Sequence, residues 1–155
     1  MTSIEKIRRL SDWALARAIQ GQPVALLFVR WSLAAVFIPS GWGKIHDLAK
    51  VTAYFTELGI PSPHANAILV SLTELGCGVL LLLGIVGRLA ALPIVANMVV
   101  AVITAKREEL HGIADLFALD EFIYIVLSLV VITLGPGLFS IDALLVRMRG
   151  RNKPR

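Results

Sequence analysis

The chain has 155 residues, of which 57% are hydrophobic and 17% are charged, and its mean hydropathy is +0.78. Soluble domains carry about 25% charged residues, so this composition indicates an integral membrane protein with a single domain, residues 1–155. The net charge of +4 is spread around apolar runs instead of forming one basic surface, which excludes a nucleic-acid-binding protein. The single cysteine, Cys77, excludes an internal disulfide and a cysteine zinc cluster.

Residues 1–22 predict an amphipathic helix that lies at the membrane surface. Ile4, Ile7 and Leu10 recur at helical spacing, and Trp13 suits the lipid headgroup region. The same segment holds four basic residues and no apolar core, so we expect no cleavable signal peptide.

Four apolar runs follow, each near the length of about 20 residues that crosses a bilayer. A short helix is predicted between the first two runs, with Asp47 as its N-cap and Gly59–Ile60–Pro61 as its stop signal. We expect this short helix to lie across the outer mouth of the protein. The predicted spans are residues 24–43, 66–86, 89–105 and 116–134.

Lysine and arginine residues are distributed unequally between the two sides of these spans. Ten lie on the side of the termini, including those of a basic tail at residues 146–155, and four lie on the other side. The positive-inside rule then places both termini in the cytoplasm. The sequence therefore predicts an all-α, multi-pass membrane protein whose four spans form a bundle.

Each span carries one stripe of polar and small residues, repeated every three or four positions. The other faces hold Leu, Ile, Val and Phe, so the four stripes are expected to face one another inside the bundle. Ser71, Asn97 and Ser128 are interpreted as interhelical polar contacts. The candidate ligand-binding residues are Arg30, Gly41, Trp42, Lys44, Glu74, Glu121 and Tyr124.

Glu74 lies within an almost entirely apolar run at residues 68–87. An ionisable group near the bilayer centre costs about 2.5–3.5 kcal/mol, which makes Glu74 and Arg30 candidates for a functional role. At a rise of about 1.5 Å per residue, Glu74 and Glu121 lie at similar depths, and Arg30 lies deeper. The sequence leaves three possibilities for Glu74. It forms an ion pair with Arg30, forms an ion pair with Lys44, or shares a proton with Glu121.

Four segments, taken in order, resemble the DoxX family of membrane proteins. They are LLFVRWSLAAVFIPSGWGKI, GIPSP, TELGCGVLLLLGIVGRLAAL and GPGLFSID. The resemblance covers residues 24–145 and departs from the usual family pattern at Ser40 and Trp42. It implies a four-helix protein of the bacterial cytoplasmic (inner) membrane that is linked to redox systems. The positions that match the family are Arg30, Gly41, Lys44, Glu74, Arg88 and Glu121, and the resemblance assigns them no catalytic roles.

The resulting hypothesis is a redox-associated subunit, surrounded by the lipid bilayer, that binds a quinone or a similar lipophilic molecule. Glu74 or Glu121 would exchange a proton, and Arg30 or Lys44 would polarise a carbonyl oxygen of the ligand. No histidine lies in the middle of a span, so we expect no intrinsic haem and no metal site.

Electrons would therefore come from a partner, either a soluble or a membrane oxidoreductase. Whether the chain is an enzyme is left open. Two alternatives belong to other functional classes. The first is a small proton-linked transporter that acts as a homo-oligomer, and the second is a non-enzymatic assembly or scaffold subunit of a membrane oxidoreductase complex.

Overall fold

The computed structural model describes residues 3–151, is 85% helix, and holds no strand among these residues. The all-α prediction is thus confirmed. The helices are α1 (Ser3–His46), α2 (Leu48–Glu57), α3 (Pro63–Leu83), α4 (Gly87–Thr104), α5 (Ile113–Ala118), α6 (Asp120–Leu134) and α7 (Ile141–Arg151), with a 3₁₀ turn at Arg107–Glu109.

α1 is one continuous helix of 44 residues where the sequence predicted two separate elements. The predicted break between a surface helix at residues 1–22 and a span at residues 24–43 is wrong, because the chain stays helical through Gly21 and Pro23. Proline lacks an amide hydrogen and so removes one helical hydrogen bond, whereas each further residue of the helix adds one. Residues 1 and 2 of the predicted surface helix lie outside the described residues.

The fourth predicted span, residues 116–134, is divided in the structure. α5 ends at Ala118, Leu119 is extended with φ −74° and ψ 134°, and α6 begins at Asp120. Asp120 and Glu121 then occupy the first turn of α6, where negative charge interacts favourably with the helix dipole. The 15 residues of α6 extend for about 22 Å, less than the hydrocarbon core of about 30 Å. Within residues 3–151, three segments are long and apolar enough to cross a membrane, namely Ile19–His46, Pro63–Leu83 and Gly87–Thr104.

The longer helices pack in a ring. α1 packs against α3 and α6, α4 packs against the same two helices, and α2 lies on α3. At the centre are large apolar side chains that are at most 2% exposed: Leu33, Phe37, Leu81, Ile94 and Val131. The buried polar residues of these helices, namely Arg30, Ser71, Glu74 and Ser128, lie on the inner side of the ring.

The backbones of α1 and α3 meet at two glycines. A Cβ atom added to Gly41 would collide with the backbone of Ser71 and Leu75, and one added to Gly78 would lie 2.9 Å from the side chain of Ile38. Small residues at such positions allow membrane helices to approach closely. The contact between α1 and α3 therefore depends on the absence of side chains at these two positions.

The end of the ring opposite α2 is closed by the first turn of α7 and by the segment before it. Asp142 accepts hydrogen bonds from the backbone amides of Val86 at 2.9 Å and Gly87 at 3.2 Å, and thus caps the start of α4. Its own amide donates to the carbonyl oxygen of Gly84 at 3.1 Å. Of the predicted basic tail, residues 146–151 belong to α7, and residues 152–155 lie outside the described part of the chain.

Candidate functional site

A buried ion pair joins α1 to α3. The Lys44 ammonium donates to both carboxylate oxygens of Glu74 at 2.5 Å, and the Ser40 hydroxyl donates to Oε2 of Glu74 at 2.7 Å. Ser40 and Lys44 are four residues apart, so they lie on the same face of α1. The Glu74 side chain is 2% exposed and that of Lys44 is 30% exposed. Of the three partners that the sequence left open for Glu74, the structure shows Lys44.

A cavity of about 740 Å³ lies next to this ion pair, between α1, α2, α3, α4 and α6. Ligand pockets commonly measure about 300–1,000 Å³ and are mostly apolar with a few polar groups, and this cavity has both properties. Four of the seven candidate ligand-binding residues line it, together with Asn97, which the sequence predicted as an interhelical contact; the four are Lys44, Glu74, Glu121 and Tyr124.

Two of these residues lie on helices across the cavity from the ion pair. The Nδ2 atom of Asn97 on α4 is buried and has no hydrogen-bond partner among the described residues. A buried polar group without a partner costs about 1–3 kcal/mol, and a ligand oxygen would remove that cost. The Tyr124 ring on α6 contacts Phe37 edge-to-face with 5.4 Å between the ring centres. The cavity is therefore lined by an aromatic wall and by the side chain of Asn97, whose unpartnered Nδ2 atom is itself buried.

The mouth of the cavity holds residues that the sequence reasoning missed. Lys50 and Tyr54 on α2 and Lys106 after α4 all line it. Lys50 and Tyr54 are four residues apart, and this helical spacing could have identified them. Lys106 donates to Glu109 at 2.8 Å, and this hydrogen bond, together with the nearby carboxylate of Glu121, raises the pKa of Lys106 above its ordinary value. The mouth thus holds the ammonium groups of Lys50 and Lys106, and that of Lys106 is paired with the carboxylate of Glu109.

Arg30 lies away from the cavity, at the end of the ring opposite α2. Arg30 is 1% exposed, and within the described part of the chain its guanidinium donates to backbone carbonyl oxygens. The acceptors are those of Leu81 at 2.8 Å, Leu82 at 3.1 Å, Pro136 at 2.6 Å and Phe139 at 2.9 Å. Arg30 thus joins the end of α3 to the segment between α6 and α7. The proposed pairing of Arg30 with Glu74, and the role of Arg30 beside a ligand, do not agree with this geometry.

The other candidate residues also lie outside the cavity lining. Gly41 is buried at the contact of α1 with α3, and Trp42 is 59% exposed on the outside of α1. The Ser71 hydroxyl donates to the carbonyl oxygen four residues earlier in its own helix at 2.6 Å. The Ser128 hydroxyl is buried and finds no partner within residues 3–151. No group of three or more potential metal-ligating side chains occurs in that same part of the chain.

Comparison with known proteins gives the family. The family model described as DoxX matches residues 25–107, which is more than half of the chain. The chain belongs to the DoxX family. This DoxX-family protein is 29% identical over 124 residues to the inner membrane protein YqjF of Escherichia coli (strain K12), covering 80% of this chain and 94% of YqjF. It is 28% identical over 148 residues to the membrane protein Rv3486 of Mycobacterium tuberculosis (strain ATCC 25618 / H37Rv), covering 84% of this chain and 86% of the relative. No solved structure matches it significantly.

Family membership and the three helices of membrane-spanning length together establish a membrane protein, and they confirm the resemblance that the sequence motifs indicated. Ser40, Lys44, Glu74 and Asn97 all lie in the part of this DoxX-family protein that the family model matches. Glu121 and Tyr124 lie beyond it.

Proposed function

We propose that this DoxX-family protein binds a quinone-class molecule in the cavity beside Lys44 and Glu74. One observation carries the proposal. A single, mostly apolar cavity of about 740 Å³ is lined by both the ion pair of Lys44 with Glu74 and the unpartnered amide of Asn97. A quinone offers an apolar ring with two carbonyl oxygens, one for the Lys44 ammonium and one for the Asn97 amide once that side chain turns toward the ligand.

The cavity residues suit the chemistry of such a ligand. One quinone oxygen accepts a hydrogen bond from Asn97, and the other accepts from Lys44, whose ammonium has three hydrogens to share. Reduction of a quinone to a quinol takes two electrons and two protons. Glu74 or Glu121 exchanges these protons, and a partner oxidoreductase, soluble or membrane-bound, supplies or removes the electrons. The Tyr124 ring packs against the quinone ring.

The proposal includes a membrane arrangement. α6 completes a four-helix bundle with the three longer spans. Both termini then face the cytoplasm, since ten of the 15 lysine and arginine residues lie on the same side of the membrane as the termini. α6 is short for a full span, and we propose that α5 extends it at the α2 end. The similarity to the inner membrane protein YqjF supports a location in the inner membrane.

A binding titration tests the proposal. The protein is placed in lipid nanodiscs and titrated with a radiolabelled short-tailed ubiquinone analogue, with empty nanodiscs as the background. We expect Lys44→Met and Asn97→Leu each to weaken binding by about tenfold, the equivalent of one charge-assisted or otherwise unsatisfied hydrogen bond of about 1.4 kcal/mol.

The matched control is Lys50→Met, which removes the same charge from the mouth of the cavity without touching the ion pair. It should change the affinity less than Lys44→Met does. Equal affinity in all variants, or no binding by the wild-type protein above the nanodisc background, would contradict the proposal. A proton-linked transporter or a scaffold subunit would give that second result.

A further inference from the structure

The cavity reaches the lipid-facing surface of the protein between α3 and α4. Leu69 on α3 and Val100 on α4 both line the cavity, yet they are 61% and 46% exposed. Ala96 on α4 also lines the cavity and is exposed. Side chains that border a cavity and an outer surface at once mark an opening, and here the opening is lined by apolar groups.

The helices also pack against each other at the other seams of the ring, including α4 against α6. α1 and α3 touch at the backbone level through Gly41 and Gly78. α1 and α6 are joined across the cavity by the contact between Phe37 and Tyr124. α3 and α4 are connected by the short turn around Gly84 at the Arg30 end, and no such connection holds their other ends together. The opening therefore lies between the Pro63 end of α3 and the Thr104 end of α4.

The depth of this opening places it among lipid acyl chains. Leu69 lies about 9 Å along the helix from Pro63, the first residue of α3, at a rise of about 1.5 Å per residue. On α4, Val100 lies about 6 Å and Ala96 about 12 Å from the last residue, Thr104, by the same rise. Since both helices are long enough to cross the bilayer, the opening faces the hydrocarbon of the leaflet at the α2 end.

We propose that the opening lined by Leu69, Ala96 and Val100 is a lateral portal through which a lipophilic ligand enters from the membrane. The chemical identity of the ligand rests on the proposed function. The existence of the portal rests on the arrangement of α3 and α4 alone. The apolar tail of the ligand passes between α3 and α4 and stays in contact with lipid, while its polar head reaches Lys44 and Asn97. The preferred substrate class is therefore a membrane-dissolved molecule with an apolar tail.

A labelling experiment tests the portal without any quinone. Ala101, which lines the cavity, is replaced by cysteine in a Cys77→Ala background, and the protein is reconstituted in liposomes. The labelling rate is measured with a maleimide that carries a ten-carbon alkyl chain and with a sulfonated, membrane-impermeant maleimide. We expect Leu69→Trp to slow the alkyl reagent by about tenfold, an added barrier of about 1.4 kcal/mol, and to leave the sulfonated reagent unchanged.

The matched control is Leu72→Trp, since Leu72 is a leucine on the same helix, 57% exposed, and outside the cavity lining. It should leave both rates unchanged, and Leu69→Ala, which widens the opening, should not slow either reagent. The portal is refuted if Leu69→Trp and Leu72→Trp give the same rate with the alkyl reagent, or if Leu69→Trp slows both reagents equally. Failure of the quinone titration would leave these rates unaffected, so the two proposals fail separately.

Discussion

The ion pair of Lys44 with Glu74 makes an asymmetric prediction for the stability of the protein. Lys44→Met leaves the Glu74 carboxylate, 2% exposed, with the Ser40 hydroxyl as its remaining hydrogen-bond donor. Removal of one partner from a buried pair costs about 3–5 kcal/mol, and we expect a value in that range. Glu74→Gln leaves a lysine side chain that is already 30% exposed, so the expected loss is smaller, about 1–2 kcal/mol.

The double variant Lys44→Met with Glu74→Gln contains no unpaired charge, and it should therefore lose less free energy of unfolding than the sum of the two single variants. We expect a coupling energy of about 2 kcal/mol, within the usual range of about 0.5–3 kcal/mol for groups in contact. The assay is unfolding by SDS in detergent micelles, followed by circular dichroism, with Lys50→Met as the control. The reasoning is refuted if the two single losses add, or if Lys44→Met costs no more than Lys50→Met.

Substitutions at three further positions, with matched companion variants, test the packing of the ring by the same unfolding assay. Arg30→Met should lower the free energy of unfolding by about 4 kcal/mol or more, because four hydrogen bonds from a charged donor are lost. Arg30→Lys should recover part of this loss. If the folded fraction of Arg30→Met had also lost its quinone affinity, the purely structural role of Arg30 would be contradicted. Gly41→Ala should lower the free energy of unfolding by about 1–3 kcal/mol, because its new methyl group meets the backbone of α3. The control Gly43→Ala, whose methyl group meets nothing within 4 Å, should be neutral or stabilising. Equal effects of the two variants would show that α1 and α3 are not in close contact. Asp142→Ala should cost about 1–2 kcal/mol through loss of the cap of α4, and an unchanged free energy of unfolding would rule out that cap.

Part of the polar lining of the cavity could be predicted from helical periodicity. Lys44, Glu74, Asn97, Glu121 and Tyr124 occupy the polar stripes of their helices, and the structure places all five around one cavity. The reason is physical: in an apolar solvent a charged or amide side chain is stabilised only toward the inside of the ring, so the polar stripe of each helix identifies its inner face. Their role in ligand binding stays a prediction.

The position of Arg30 could not be predicted in this way. Its acceptors are backbone carbonyl oxygens at the end of α3 and between α6 and α7, and backbone groups leave no residue-specific signal in a sequence. A search for a charged partner consequently pointed to Glu74. The break at Leu119 was missed for a related reason, because a leucine among apolar residues does not reveal an extended backbone.

The central claim is that a quinone-class ligand occupies the cavity next to Lys44 and Glu74. Photolabelling of the reconstituted protein with an azidoquinone, followed by peptide mapping, tests it most directly. The account predicts labelled residues on α2 and α4, at positions such as Tyr54 and Asn97 that line the cavity, with the label lost when an excess of unmodified quinone is added. Label that resists this competition, or that is confined to exposed residues such as Phe28 on the outside of α1, would contradict the account.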